Sequence, residues 1–379
     1  MDANQVRETG KLGFGLMRLP KDGEAIDIEQ TKRMVDLFMG AGLTYFDTAW
    51  AYNGSEEAAR AALVERYPRE SYTLASKLAA WIQCETRDDA IAQFQTSLDR
   101  TGAGYFDYYL LHSLGDERTG AFDRFGLWDF AQEMKAAGKI RNVGFSFHAG
   151  ADELERILDA HPEVDFVQLQ INYADWEDPG IQSRANYKVA RSHGLPIVVM
   201  EPVKGGLLAT PPAPVAEVLR AANPAASLPS WAIRFAASLP GVLTVLSGMS
   251  SVAQMEDNLS YMRNFTPLSA DEQATIARAR EALAAVPLIP CTSCDYCAKV
   301  CPRNIGISGT FGALNMLTLY GNEEKAADEE RWATVRHDKG RASDCIQCGR
   351  CERACPQHIP IRAHLAEAVE AFGLAAGAE

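Results

Sequence analysis

Cysteine is almost missing from the first 290 residues. Cys84 stands alone there, and the other eight of nine crowd into the stretch from 291 to 355. No run approaches the roughly 18 uncharged apolar residues of a membrane span, so no span is expected. The opening "MDANQVRETGKLGFG" has no apolar core of the kind a secretory leader needs. The chain is therefore expected in the cytoplasm, where nine cysteines are better explained as metal ligands than as disulfides. Positive charge is also short. Against 50 Asp and Glu stand 37 Lys and Arg, and the net charge of −13 argues against nucleic acid as a partner. No G-x-G-x-x-G follows a strand-like run, which removes the main reason to expect a doubly wound dinucleotide fold.

What is present is a repeated β/α rhythm. The 379 residues are 47% hydrophobic and 23% charged, a composition that supports a large folded core. Strand-like runs stand at 11–15, 43–49, 72–78, 106–112, 140–148, 166–172, 196–202 and 242–249. Helical patterns such as "SEEAARAALVERY" (55–67) and "ADELERILDAH" (151–161) fall between them. Eight strands alternating with helices predict an α/β fold, a (β/α)8 barrel. A further helix at about 269–285 ends before "VPLIP", whose two prolines mark a boundary. The expected division is a barrel over 1–285 and a small α-rich domain over 286–379. An Ala-rich helix from 362 should close that domain.

The second domain holds the only long repeat. "CTSCDYCAKVCP" (291–302) returns as "CIQCGRCERACP" (345–356), each with four cysteines at spacing x2, x2, x3 and a proline after the fourth. This spacing matches the run that bacterial ferredoxins use to hold iron–sulfur clusters. Three thiolates two residues apart can wrap one corner of a cubane, and the fourth reaches the neighbouring cluster. Two [4Fe–4S] clusters are then expected, one on Cys291, Cys294, Cys297 and Cys355, the other on Cys345, Cys348, Cys351 and Cys301. Zinc would favour separated cysteine pairs. The 43-residue gap between the runs, with "GNEEKAADEERW" inside it, reads as a helical insertion.

Four polar residues stand at or just beyond the C-terminal ends of successive strands, where barrel enzymes keep their active sites. They are Asp47, Tyr52, Lys77 and His112. Tyrosine is a poor acid near neutrality. A lysine ammonium beside it should lower its pKa, a carboxylate should keep the lysine charged, and a histidine can orient a substrate oxygen. Taken singly, each has a bland explanation in turns, packing or solvation. Jointly they suit the protonation of a carbonyl oxygen. Trp50 and Trp81 are placed on loops beside the barrel mouth, where they could line a substrate pocket or simply pack the rim.

On these residues the chain resembles the aldo-keto reductase family over about residues 10–265. "FDTAWAYNGSE" is similar to the family's signature after strand two, with "SK" and "LLH" at the following strand ends. The resemblance implies that Asp47, Tyr52, Lys77 and His112 form a catalytic tetrad with Tyr52 as general acid. It implies NADPH or NADH lying extended across the barrel mouth. Ser146 and Gln168 would hold the carboxamide, and Gly206 and Leu207 of "PVKGGLL" would close over the pyrophosphate. Gly248, Gln254 and Asn258 of "GMSSVAQMEDN" would hold the pyrophosphate and adenosine. Two positions depart from the family pattern: Phe147 follows the serine where asparagine is usual, and Gln254 stands where many members place an arginine for the 2′-phosphate of NADPH. With its cysteine runs, the whole chain resembles the iron–sulfur subgroup of the family, carrying a ferredoxin-like domain. A small-molecule carbonyl substrate is implied.

Hydride transfer needs no iron, so the clusters admit three roles. They could stabilise or sense within a hydride-transferring reductase, or exchange electrons with a ferredoxin-like or other electron-transfer partner. In the third reading the chain is a non-enzymatic redox-sensing module.

Overall fold

The computed structural model describes residues 10–115 and 118–374. The opening segment read for a secretory leader lies mostly outside the described residues, as does the last part of the Ala-rich tail. The chain divides into two compact units, Met1–Ala209 with Ala222–Ile276, and Thr210–Ala221 with Ala277–Glu379. Among the described residues no helix is long and apolar enough to cross a membrane.

In the first unit eight parallel strands close a barrel: β1 Leu12–Gly15, β2 Tyr45–Asp47, β3 Thr73–Leu78, β4 Phe106–Leu114, β5 Ile140–Phe147, β6 Phe166–Gln170, β7 Ile197–Met200 and β8 Val242–Ser247. All eight fall on the expected runs, mostly a few residues shorter. The excess residues belong to the loops at the strand ends. A short hairpin pairing Lys21–Asp22 with Ala25–Ile26 was not expected, because its two-residue strands carry no periodicity to read. The expected helix over 55–67 is α-helical only through Ser55–Ala59 and then opens into a π turn, with Glu65 N–H donating to the Arg60 carbonyl.

Strand side chains alternate between two faces. One face builds a shell of Leu12, Phe14, Phe46, Leu74, Phe106, Val143 and Val245 under the helices. The other fills the barrel's interior with Tyr45, Ala75, Tyr108, Leu110, Phe166, Val198, Leu243 and Leu246. The rings of Tyr45, Tyr108 and Phe166 pack at 5.0–5.2 Å between centroids. Two residues further along several strands, on the inner face, the apolar floor gives way to Asp47, Lys77, His112, Ser146 and Gln168. The site is thus the next layer up from the packed floor. Gly144 lets β5 and β6 come together at that level, since a Cβ there would lie 2.4 Å from the Phe166 carbonyl oxygen.

The second unit is helical. Among its described residues the β structure is a single bridge, Ile305 to Gly340. The insertion between the cysteine runs folds as Ile307–Tyr320 and Glu323–Ala333, and the expected terminal helix spans Ile361–Ala371. Glu330 is fully buried and takes Arg341 Nη2 at 2.5 Å, a pair that anchors the insertion. The core is small: Ile305, Ile307, Phe311, Ile361 and Leu365 pack with Cys297 and Cys351.

Candidate active site and cysteine centres

Lys77 organises the barrel site. Its side chain is wholly buried, and its three ammonium protons have three acceptors: Asp47 Oδ1 at 2.5 Å, the Thr48 carbonyl at 2.7 Å and Tyr52 Oη at 3.4 Å. The ammonium also faces the Tyr52 ring, 4.7 Å from its centroid. Burial alone would push the Lys77 pKa down. The charges and hydrogen bonds of Asp47 and Tyr52 outweigh it and hold the ammonium charged. Burial raises Asp47, and Lys77 opposes that rise. Tyr52 differs from the sequence expectation. Lys77 does pull its phenol down, but burial is the larger effect, and the pKa lies above the ordinary tyrosine value.

The loop that carries Tyr52 is pinned from below. Tyr52 N–H donates to the Ala49 carbonyl, and Ser55 N–H to the Tyr52 carbonyl. Ser55 Oγ donates to the Leu16 carbonyl at 3.0 Å and lies 2.7 Å from Thr48 Oγ1. Glu56, fully buried, accepts from Ser76 Oγ at 2.7 Å and faces Arg100. Thr48, Ser55 and Glu56 sit inside "FDTAWAYNGSE", and their partners Leu16, Ser76 and Arg100 lie outside it. Nothing in the one-dimensional pattern marks Glu56 as buried.

His112 stands edge-on to Tyr52, ring centroids 5.7 Å apart. Its Nδ1 is buried without a partner among the described residues. Burial, assisted by Lys77, His148 and Arg118, holds its pKa well below the ordinary value, so the ring is neutral. Trp81 Nε1 donates to the His112 carbonyl at 2.8 Å. Of the two tryptophans expected at the mouth, Trp81 lines the cavity. Trp50 instead lies beside Arg100, which stacks on its ring at 5.7 Å.

A cavity of about 860 Å³ opens over these groups. Asp47, Tyr52, His112, Ser146, Gln168, Gly206, Gly248, Gln254 and Asn258 all line it. Lys77 lies behind the wall, and Leu207 is buried rather than lining it. Gly205 and Gly206, at φ 62° and 96°, form that part of the wall, because only they adopt its left-handed turns without strain. Ser146 and Gln168 are paired partners on β5 and β6. Gln168 Oε1 and Asn258 Oδ1 are buried, belong to residues that line the cavity and have no partner among the described residues. Unsatisfied amide oxygens of this kind suit a ligand with N–H donors, and a nicotinamide carboxamide is one. Phe147 packs in the core against Phe145, which is why no polar side chain follows Ser146 into the cavity. Gln254 sits in the first turn of the helix Val252–Met262, and its Oε1 accepts from Ser250 N–H at 2.7 Å. Arg18, whose carbonyl accepts from Ser250 Oγ, lines the same wall and was not anticipated.

In the second unit the two runs wind alike. Ser293 and Gln347, Asp295 and Gly349, Asn304 and His358 occupy matching positions, and all six have positive φ. Left-handed backbone at non-glycine residues is uncommon and clusters at ligand-holding loops. Cys301 of the first run lines one small cavity with Cys345, Cys348 and Cys351 of the second. Burial raises the Cys291 thiol, and Cys294 and Cys355 add to the rise, so Cys355 approaches the first run in return. Each grouping mixes the runs. Tetrahedral zinc at about 2.3 Å would draw its sulfurs to within roughly 3.8 Å of one another. Among the described residues no three cysteine sulfurs all lie within 4.8 Å. Two four-thiol donor sets are the ligand chemistry that an iron–sulfur cluster takes.

The sequence and the fold have known counterparts. The model of the aldo/keto reductase family matches residues 11–281, and that of a 4Fe-4S dicluster domain matches 290–360. An aldo-keto reductase of Mycolicibacterium smegmatis is 31% identical over 145 residues, 38% of this chain and 47% of that one. Aldo-keto reductase str7 of Strobilurus tenacellus is 31% identical over 212 residues, 54% of this chain and 60% of that one. The chain thus spans about half the length of the curated relatives it matches. Among solved structures, aldo-keto reductase AKR11C1 from Bacillus halodurans in its holo form superposes with a TM-score of 0.56 at 25% identity, covering 72% of this chain and 92% of that one. An aldo-keto reductase from Klebsiella pneumoniae in complex with NADPH shares the fold at a TM-score of 0.54 and 22% identity, over 70% and 89% of the two chains. With the barrel, and a family match over most of its length, the chain belongs to the aldo/keto reductase family and carries a 4Fe-4S dicluster domain.

Proposed function

We propose that this chain reduces a small carbonyl compound, an aldehyde, ketone or quinone, with NADPH or NADH, and that its eight paired-run cysteines hold two [4Fe–4S] clusters. The observation that carries the catalytic part is the buried Lys77 ammonium, shared between Asp47 and Tyr52 at the floor of an open cavity. When bound, a reduced nicotinamide supplies hydride to the carbonyl carbon. Tyr52 Oη gives its proton to the carbonyl oxygen, so a C–H and an O–H bond form as the C=O double bond becomes single. The Lys77 ammonium stabilises the phenolate left behind, and Asp47 holds that ammonium charged and in place. Neutral His112 donates a ring N–H to the same oxygen and aligns it with Tyr52. Ser146, Gln168, Gly206, Leu207, Gly248, Gln254 and Asn258 are the residues proposed to hold the cofactor, Leu207 through its backbone. Gln254 offers no charge to a 2′-phosphate, and Arg18 is a cation on the same wall, so both nicotinamides should serve with a small preference at most.

Cys291, Cys294, Cys297 and Cys355 are proposed to ligate one cluster, and Cys345, Cys348, Cys351 and Cys301 the other. A cytoplasmic setting would keep the thiols available for iron. A second reading, electron exchange with a redox partner, draws on the exposure of Cys294 and Cys348, one in each set.

Tyr52→Phe tests the catalytic reading. Carbonyl reduction should fall about 10²–10⁴-fold, while nicotinamide affinity, measured by fluorescence titration, stays close to wild type. A mutant that keeps its kcat and forms the same alcohol would remove Tyr52 from the role of acid.

A further inference from the structure

The reductase reading leaves one cation at the cavity mouth without a task. Arg118 follows β4, where the chain leaves His112 through Ser113, a non-glycine residue held at φ 61°. Ser113 is fixed from both ends. Its N–H donates to Ser146 Oγ at 2.7 Å, and its Oγ accepts from Arg118 Nη1 at 2.6 Å. The guanidinium also lies over the Trp81 ring, 4.3 Å from its centroid, and Trp81 is itself tied to the His112 carbonyl. Arg118 is therefore positioned by a hydrogen bond and a cation–π contact. Among the described residues the guanidinium makes this one hydrogen bond, with five N–H donors to offer.

Among the described residues it has no carboxylate at ion-pair distance. The acidic groups that line the cavity are accounted for elsewhere. Asp47 is paired with Lys77. Glu201 follows β7 and lies near enough to Tyr52 to raise its phenol, on the Tyr52 side of the cavity, and Asp257, in the helix Val252–Met262, accepts from Ser227 Oγ. Around Arg118 the wall offers Trp81, Ser113, His112 and His148. Burial and the nearby guanidinium hold His148 down at about 4, so at neutral pH it adds no charge. This end of the cavity presents one fixed guanidinium, two neutral imidazoles and an aromatic face.

We propose that the substrate is an oxo acid. Its carboxylate is gripped by Arg118, its carbonyl lies at Tyr52 and His112, and the carbon chain between them rests near Trp81. A planar guanidinium with paired N–H groups matches a carboxylate in geometry and charge. The proposal deepens the reductase reading and rests on it.

The test compares aliphatic oxo acids of increasing carbonyl–carboxylate separation with their methyl esters, as kcat/KM, in wild type and Arg118→Met. Wild type should prefer the acids, and Arg118→Met should lower the acid-to-ester ratio about a hundredfold, the range of one charged hydrogen-bonded contact. Arg118→Lys should recover part of it. An unchanged ratio, or a wild type that prefers esters, overturns the oxo-acid proposal and leaves the reductase reading standing. If wild type reduces neither series, the reductase reading is judged separately on simple aldehydes, ketones and quinones. Calorimetry of 4-oxopentanoate with the NADP⁺-loaded protein then decides the anion site: binding lost in Arg118→Met upholds it, and absent or unaltered binding overturns it.

Discussion

At the scale of single residues, the barrel site is governed by satisfying one buried ammonium. Lys77 tolerates full burial because three acceptors take its three protons, and one of them is a carboxylate. The same arrangement requires Tyr52 to be held still, and that falls to Ser55, Thr48 and Glu56 rather than to any group that would touch substrate. Ser55→Ala should leave the Thr48 hydroxyl and the Leu16 carbonyl short of a partner and cost about 1–3 kcal/mol. Because the loop bearing Tyr52 loses its anchor, kcat should fall while KM for the nicotinamide moves little. Thermal denaturation together with steady-state kinetics separates the two effects. A variant with unchanged kcat would show that Tyr52 is positioned by Lys77 and its own turn alone.

At the scale of elements, the site depends on strands arriving at matched heights. Ser146 and Gln168 face each other because β5 and β6 are in register from Gly144 with Phe166 onward. Gly144 makes that approach possible, and its conformation is ordinary, so its value is space rather than backbone freedom. Gly144→Ala should destabilise the barrel by about 1–3 kcal/mol, as overpacking of a well-filled core does. A urea denaturation midpoint measured with both proteins reads this. No change in midpoint would mean that the two strands part easily, and that Ser146 and Gln168 are not held by them.

At the scale of the whole molecule, the chain joins a barrel whose proposed chemistry moves a hydride to a unit whose proposed clusters move single electrons. The second unit has a small apolar core into which its own cysteines pack, so metal and fold are coupled there. Protein prepared without oxygen should carry about eight irons and about eight labile sulfides per chain, as two cubanes require. Cys348→Ser should remove about half of that iron. Measured per folded protein, nicotinamide-linked carbonyl reduction should survive the change, and dye-linked electron transfer should fall. Loss of both in folded protein would put the clusters inside the catalytic cycle.

The sequence by itself determined the barrel and the spacing of the cysteine runs. Buried parallel strands read as short apolar runs between helices, and residues such as Asp47, Lys77 and His112 interrupt those runs at their C-terminal ends. Local periodicity records such things directly. It also carried the helices of the insertion and the terminal helix. The tertiary structure decided what distance along the chain conceals. Glu56 is buried because Ser76 and Arg100 come from other elements to meet it. Tyr52 rises in pKa because burial outweighs the lysine beside it, a balance that depends on the depth of the surrounding atoms. Arg118 looks in sequence like any charged loop residue. It becomes a fixed cation at the cavity mouth only when Ser113 and Trp81, from two different strand ends, close on it.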